Sequence, residues 1–228
     1  RELVTTDYNN NYIYVNTTSV PDHFYSAVNV KAQNFVYQIP RFPIVPEVKV
    51  PTPLGAIGVA TNGVSIFNPK AAEVEILNGV TYQINAPEVE QLTVDDGGGH
   101  PQEDGVYHYH SDPKLMYTKD ETKHSEILGF AFDGFPIYGP YGYKATNDLT
   151  ITLMRSSYRL KTTPRPDATM PTGRYVEDYE YISGLGDLDE NNGRFIRTPE
   201  YPNGTYAYFV TVDPNDVEKA VYPYIVGP

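Results

Sequence analysis

Residues 57–84, IGVATNGVSIFNPKAAEVEILNGVTYQI, decide the fold class. Two Asn-Gly pairs, Asn62-Gly63 and Asn78-Gly79, each stand between apolar-rich runs: Ile57 to Thr61 and Val64 to Phe67, then Val74 to Leu77 and Val80 to Ile84. Asn-Gly suits a type I′ turn, whose two central residues both take positive φ, so each pair predicts a β-hairpin. A third pair, Asn203-Gly204, precedes the alternating run Tyr206 to Val212. Together these signals predict an all-β protein: an antiparallel sandwich or partly closed barrel with long loops and one or two short helices. The helical signals are a turn over Asp120 to Leu128 and a short helix over Asn215 to Val221, after Pro214.

Working outward toward the N terminus, Pro40 to Pro53 is proline-rich and reads as a loop or an extended edge, because proline cannot donate to a central ladder. Phe24 to Val30 and Phe35 to Ile39 read as strands. Before them, Tyr12-Ile13-Tyr14-Val15 reads as a strand in residues 1–17, either an edge strand of its own chain or an arm that adds to a neighbouring copy. The rest, residues 18–228, is expected to form one domain. The composition of 20 prolines, 18 glycines and 21 tyrosines among 228 residues agrees with turns and strands rather than long helices.

Working toward the C terminus, residues 95–140 hold four of the five histidines: His100, His108, His110 and His124. In Tyr107-His108-Tyr109-His110 the residue types alternate, and a strand sends successive side chains to opposite faces. His108 and His110 are thus expected on one face, about 6.5–7 Å apart along the strand, with Tyr107 and Tyr109 packed on the other. Gly97-Gly98-Gly99 gives the backbone freedom to bring His100 back toward that strand. The expectation is a three-histidine metal site, since imidazole is the commonest metal ligand. The alternative is a tyrosine-rich strand whose histidines bond to protein neighbours.

The chain resembles the YHYH-domain family in this tetrapeptide and in many other segments. They include Gly98-Gly99-His100-Pro101, Gly129-Phe130-Ala131-Phe132-Asp133-Gly134-Phe135-Pro136-Ile137-Tyr138-Gly139, Ser157-Tyr158-Arg159-Leu160, Gly204-Thr205-Tyr206-Ala207-Tyr208-Phe209 and Tyr222-Pro223-Tyr224. The resemblance implies an exported protein in which the histidines are the functional residues. It also implies that relatives carry cysteines where this chain has Gly97 and Asn191, so a disulfide joining those positions is absent here.

Further candidates lie outside the three-histidine group. Asp133 is expected as a carboxylate ligand, as a partner orienting an imidazole, or as an acid bonded to its own Gly-Phe-Pro turn. His124 is a further candidate ligand, and so is His23, which follows a Pro-Asp turn. The run Asp187-Leu188-Asp189-Glu190-Asn191-Asn192-Gly193 is acidic, but its glycine falls one residue late for an EF-hand and position twelve is Thr198. A different calcium site at Asp187 and Asp189 is one reading and an Asx-rich turn the other, with Arg159, Arg194 and Arg197 as candidate ion-pair partners. Asn16 and Asn203 begin N-x-Thr sequons open to glycosylation.

With no cysteine in the sequence, thiolate metal sites and thiol catalysis are excluded. Imidazoles without thiolates point to zinc or copper(II). A net charge of −12 disfavours nucleic acid as a partner, and no apolar run approaches the roughly 20 residues of a membrane span. A chain beginning at Arg1, together with the sequons, suggests a processed, exported protein. The functional expectation is a secreted or cell-surface metal-binding domain with a structural or binding role, self-assembling into an oligomer or filament through its N-terminal strand. The rival is a metal-dependent hydrolase using the same three histidines with one coordination position open.

Overall fold

A computed structural model of the chain describes residues 30–47, 50–90, 94–163, 165–167 and 169–228, with the backbone of residues 12–17. His23 lies outside the described residues. The protein is all-β. Its central sheet has eight strands in the order Gly193–Ile196, Thr205–Phe209, Pro136–Tyr138, Ile127–Ala131, Ala56–Ala60, Ser65–Phe67, Tyr107–Tyr109 and Gly99–Pro101, and it does not close into a barrel. Most neighbours are antiparallel, as expected. Two junctions are parallel, Pro136–Tyr138 with Thr205–Phe209 and Ser65–Phe67 with Tyr107–Tyr109. A parallel pair needs a long crossover, and the chain supplies one in each case. The hairpin of Lys70–Leu77 and Val80–Asn85 lies between Phe67 and Tyr107, and two further hairpins lie between Tyr138 and Thr205.

Side-chain alternation sets the core. Along Thr205–Phe209, Ala207 and Phe209 join Tyr138, Met154, Leu188 and Ile196, while Tyr206 and Tyr208 face Ile57, Ile137 and Phe135 on the other side. Tyr107 and Tyr109 belong to that second cluster, so the tyrosines of the Tyr107–His110 run are buried where period-two geometry places them.

The hairpin turns differ in type. Asn78 (φ 52°) and Gly79 (φ 79°) both take positive φ, the type I′ form. In the other turn only Gly63 (φ 84°) does. There Gly63 N donates to Ala60 O at 2.8 Å, while the Asn62 amide reaches the Tyr109 hydroxyl at 3.0 Å. Two helical expectations are corrected. Asn215–Val221 is instead strand Asp216–Ala220, paired with Val212–Asp213. Asn215 N donates to Asp213 Oδ1 at 2.8 Å, which closes the reversal and commits Asp216 and its successors to pairing. Residues 120–123 are only a turn, with Thr122 N on Asp120 Oδ1 at 2.9 Å. Helical turns lie elsewhere, at Ala86–Val89, with proline in its first positions, and at Val176–Asp178, a 3-10 turn.

The N-terminal strand Tyr12–Thr17 pairs antiparallel with the chain's own Phe35–Pro40. No described helix is long and apolar enough to cross a membrane.

Candidate metal centre

His108 is the middle residue of a three-residue strand held on both edges. On one side it is the register partner of His100, and on the other it sits opposite Ser65. Directly opposed residues in an antiparallel pair have Cβ atoms about 4.5–5.5 Å apart, so register alone brings the first two imidazoles together. His110 comes two residues later, on the same face.

The approach to His100 is built by Asp95. Asp95 Oδ1 accepts Gly97 N at 2.9 Å and Gly99 N at 3.2 Å, and Oδ2 accepts the Tyr107 hydroxyl at 2.7 Å. Gly98 turns the chain with φ 86°. Gly99 is glycine because of packing: a Cβ there would lie 2.5 Å from the Tyr107 ring. The same tyrosine that alternates with the histidines thus fixes the strand carrying the third one.

The three rings converge. His100 Nε2 lies 3.1 Å from His108 Nε2, which lies 2.9 Å from His110 Nε2. All three ligand nitrogens fall within 4.8 Å of one another. The far sides of two rings are anchored: His108 Nδ1 donates to Val106 O at 3.0 Å and His110 Nδ1 donates to Asn68 O at 2.7 Å. A carbonyl only accepts, so both Nδ1 atoms carry the proton and the neutral rings present bare Nε2 lone pairs to each other. Phe67 stacks on His108 at 4.0 Å between centroids and blocks rotation of the ring. Burial lowers the pKa of His108 to about 4 and that of His110 to about 3, so neither protonates readily at neutral pH.

Glu90 completes the cluster. Its Oε2 is 3.2 Å from His100 Nε2 and 3.6 Å from His110 Nε2. It sits at the end of the helical turn Ala86–Val89, and the sequence carries no signal for it. A cleft of about 660 Å³ opens beside His100, His110 and Glu90, with Glu88, Lys114 and Glu218 also on its walls.

Ligand nitrogens about 2.0–2.1 Å from one ion, at 90–109° to each other, stand about 2.9–3.4 Å apart. The 2.9 and 3.1 Å separations match that range. The donor set therefore fits a borderline divalent metal, and a carboxylate stands next to it.

The other expected ligands lie apart from this group. His124 packs against Tyr143 at 4.8 Å and Tyr138 at 4.9 Å between centroids, and its Nδ1 donates to Ser125 O at 2.8 Å. Asp133 accepts Phe135 N at 3.1 Å within its own turn and the Tyr208 hydroxyl at 2.5 Å. Asp187 accepts Arg155 N at 3.0 Å and Nε at 3.2 Å, and Asp189 Oδ1 accepts Asn191 N, Gly193 N and the Tyr206 hydroxyl. These bonds to Asp189 are those of an Asx-rich turn. Arg159 pairs with Glu180 instead, and Arg194 reaches the Met154 sulfur. Asn203 is exposed in a turn, and Asn16 lies in the strand Tyr12–Thr17.

The family model described as YHYH protein matches residues 36–222. Comparison with curated proteins and with solved structures finds no match.

Proposed function

The chain belongs to the YHYH protein family, and from that premise we propose that it is an exported metal-binding domain. His100, His108 and His110 hold one divalent ion, zinc or copper, and Glu90 stands as a fourth ligand. One observation carries this reading: a buried and a partly buried imidazole, each with its proton committed to a carbonyl, point bare nitrogens at each other across 2.9 Å. Facing lone pairs repel unless a cation lies between them. Burial disfavours a proton in that role at neutral pH, and a metal ion fills it without protonation. The backbone bonds at Nδ1 are also the usual device for orienting a metal-bound histidine.

Metal analysis of protein purified without added ions tests the reading. One equivalent of zinc or copper per chain is expected, and the double variant His108→Ala, His110→Ala should retain none. No stoichiometric metal in the wild type, with unchanged stability in the double variant, would overturn it.

The cleft beside His100 and Glu90 favours a second reading, in which the ion keeps one position open and Glu90 acts as a general base for hydrolysis. Glu90→Gln separates the two. Loss of metal affinity by about tenfold or more marks Glu90 as a ligand, within the range for partners of a metal site. Full metal content with loss of hydrolytic activity marks it as a base.

A further inference from the structure

A second cleft, of about 390 Å³, lies apart from the histidines. No described residue lines both this cleft and the one beside Glu90. Its walls are Ile57, Phe135 and Val226 from the sheet and C terminus, with Pro51 and Pro53 from the proline-rich segment. Asp133 and Asp189 open into it beside the rings of Tyr206 and Tyr208. The Tyr206 ring stands 5.2 Å from both Tyr208 and Phe135 between centroids, in edge-to-face contacts.

The charge of this cleft is one-sided. Among the described residues its lining contains no Lys, Arg or His, and neither Asp133 nor Asp189 forms an ion pair with a described residue. Their donors are neutral: Phe135 N and the Tyr208 hydroxyl on Asp133, and Asn191 N, Gly193 N and the Tyr206 hydroxyl on Asp189. Two carboxylates thus face an apolar, aromatic-walled space with no counter-charge among the described residues. Such a space takes a cation whose body is itself apolar. A bare metal ion is a poor match, because calcium wants six to eight oxygen ligands and the tyrosine hydroxyls here donate toward the carboxylates. An anion is repelled. The volume falls within the roughly 300–1,000 Å³ of small-molecule sites.

We propose that this cleft binds an organic amine, with the ammonium group between Asp133 and Asp189 and against the Tyr206 ring, and the apolar body between Ile57, Phe135 and the prolines. The site is independent of the histidine cluster.

Isothermal titration of the full chain with 2-phenylethylammonium, 2-phenylethanol and 3-phenylpropanoate tests the proposal. The amine should bind saturably, the neutral alcohol at least about tenfold more weakly and the carboxylate not at all, in line with the strength of charge-assisted contacts. Asp133→Asn and Asp189→Asn keep the Oδ1 turn acceptor, remove the charge and replace the Oδ2 acceptor of a tyrosine hydroxyl by an amide donor, so each should weaken amine binding about tenfold with metal content unchanged. No saturable amine binding, equal binding of the three ligands, wild-type binding by both variants, or displacement of the amine by calcium at equal concentration would each overturn the proposal. The ligand series on wild-type protein decides the matter even where a variant fails to fold.

Discussion

The histidine hairpin and the acidic loop Asp187–Gly193 both carry metal-ligand residue types, yet among the described residues only the hairpin forms a candidate metal centre. In the hairpin the protein uses one nitrogen of each anchored ring, the Nδ1 of His108 and of His110, to bond a carbonyl. The second nitrogen is aimed inward. In the loop the carboxylates serve as acceptors and do not converge as metal ligands: Asp187 takes Arg155, and Asp189 takes two backbone N–H groups and a tyrosine, all neutral donors that leave its charge in place. A candidate ligand becomes a site when donor capacity is left over and points at its equals. A carboxylate can lose that capacity to turn formation, because turns need acceptors. An imidazole has two separate nitrogens, so orientation and ligation need not compete.

The comparison breaks most sharply at the hairpin itself. Replacing His108 and His110 with Ala should weaken zinc or copper affinity by more than about 100-fold, beyond the effect of losing an outer partner, as read by competition with a chelating dye. A next, smaller effect is expected from Asp95→Ala, which removes the acceptor of Gly97 N, Gly99 N and the Tyr107 hydroxyl. Urea unfolding should show a loss of about 2–4 kcal/mol, since buried donors are left unsatisfied. Gly99→Ala should cost about 1–3 kcal/mol by overpacking the Tyr107 ring and should reduce metal affinity with it. Wild-type values there would mean that the strand moves freely and that Tyr107 does not set the place of His100.

A pH series on metal-free protein sharpens the same contrast. His108 and His110 have pKa values lowered from 6.5 to about 4 and about 3 in the folded chain. Between those values and 6.5 the unfolded chain takes up protons that the folded chain refuses, so stability falls as the pH falls. Their contribution is fully present above pH 6.5 and is lost as pH drops through 4 toward 3. Saturating metal should postpone that loss, and identical melting curves with and without metal at about pH 5 would contradict the assignment. The smallest effect belongs to the acidic loop. Asp187→Asn should cost less than about 1 kcal/mol, the worth of an exposed pair, and should leave metal content unchanged.

Much of the centre was legible because it rests on local geometry. Alternation in Tyr107-His108-Tyr109-His110 placed two imidazoles on one face, and the glycines before His100 pointed to a reversal. The hairpin signals at Asn62-Gly63 and Asn78-Gly79 were legible for the same reason, although only the second adopts the expected turn. What escaped depends on contacts between distant segments. Glu90 arrives on a helical turn from the crossover between two parallel strands, and nothing in Ala86-Pro87-Glu88-Val89-Glu90 points to His100. The two parallel junctions depend on which strands meet, a non-local outcome. His124 and Asp133 lie near the other histidines in sequence, but the sheet carries them into separate surroundings. The strand at Asp216–Ala220 replaced a helix because the Asp213 side chain closes a turn first.

Anomalous diffraction from crystals of the natively loaded protein, collected across the zinc and copper edges, tests the central claim most directly. One peak is expected about 2.0–2.1 Å from the Nε2 atoms of His100, His108 and His110, with Glu90 beside it. Rings that diverge around no peak, or a single ion bound elsewhere, would contradict it.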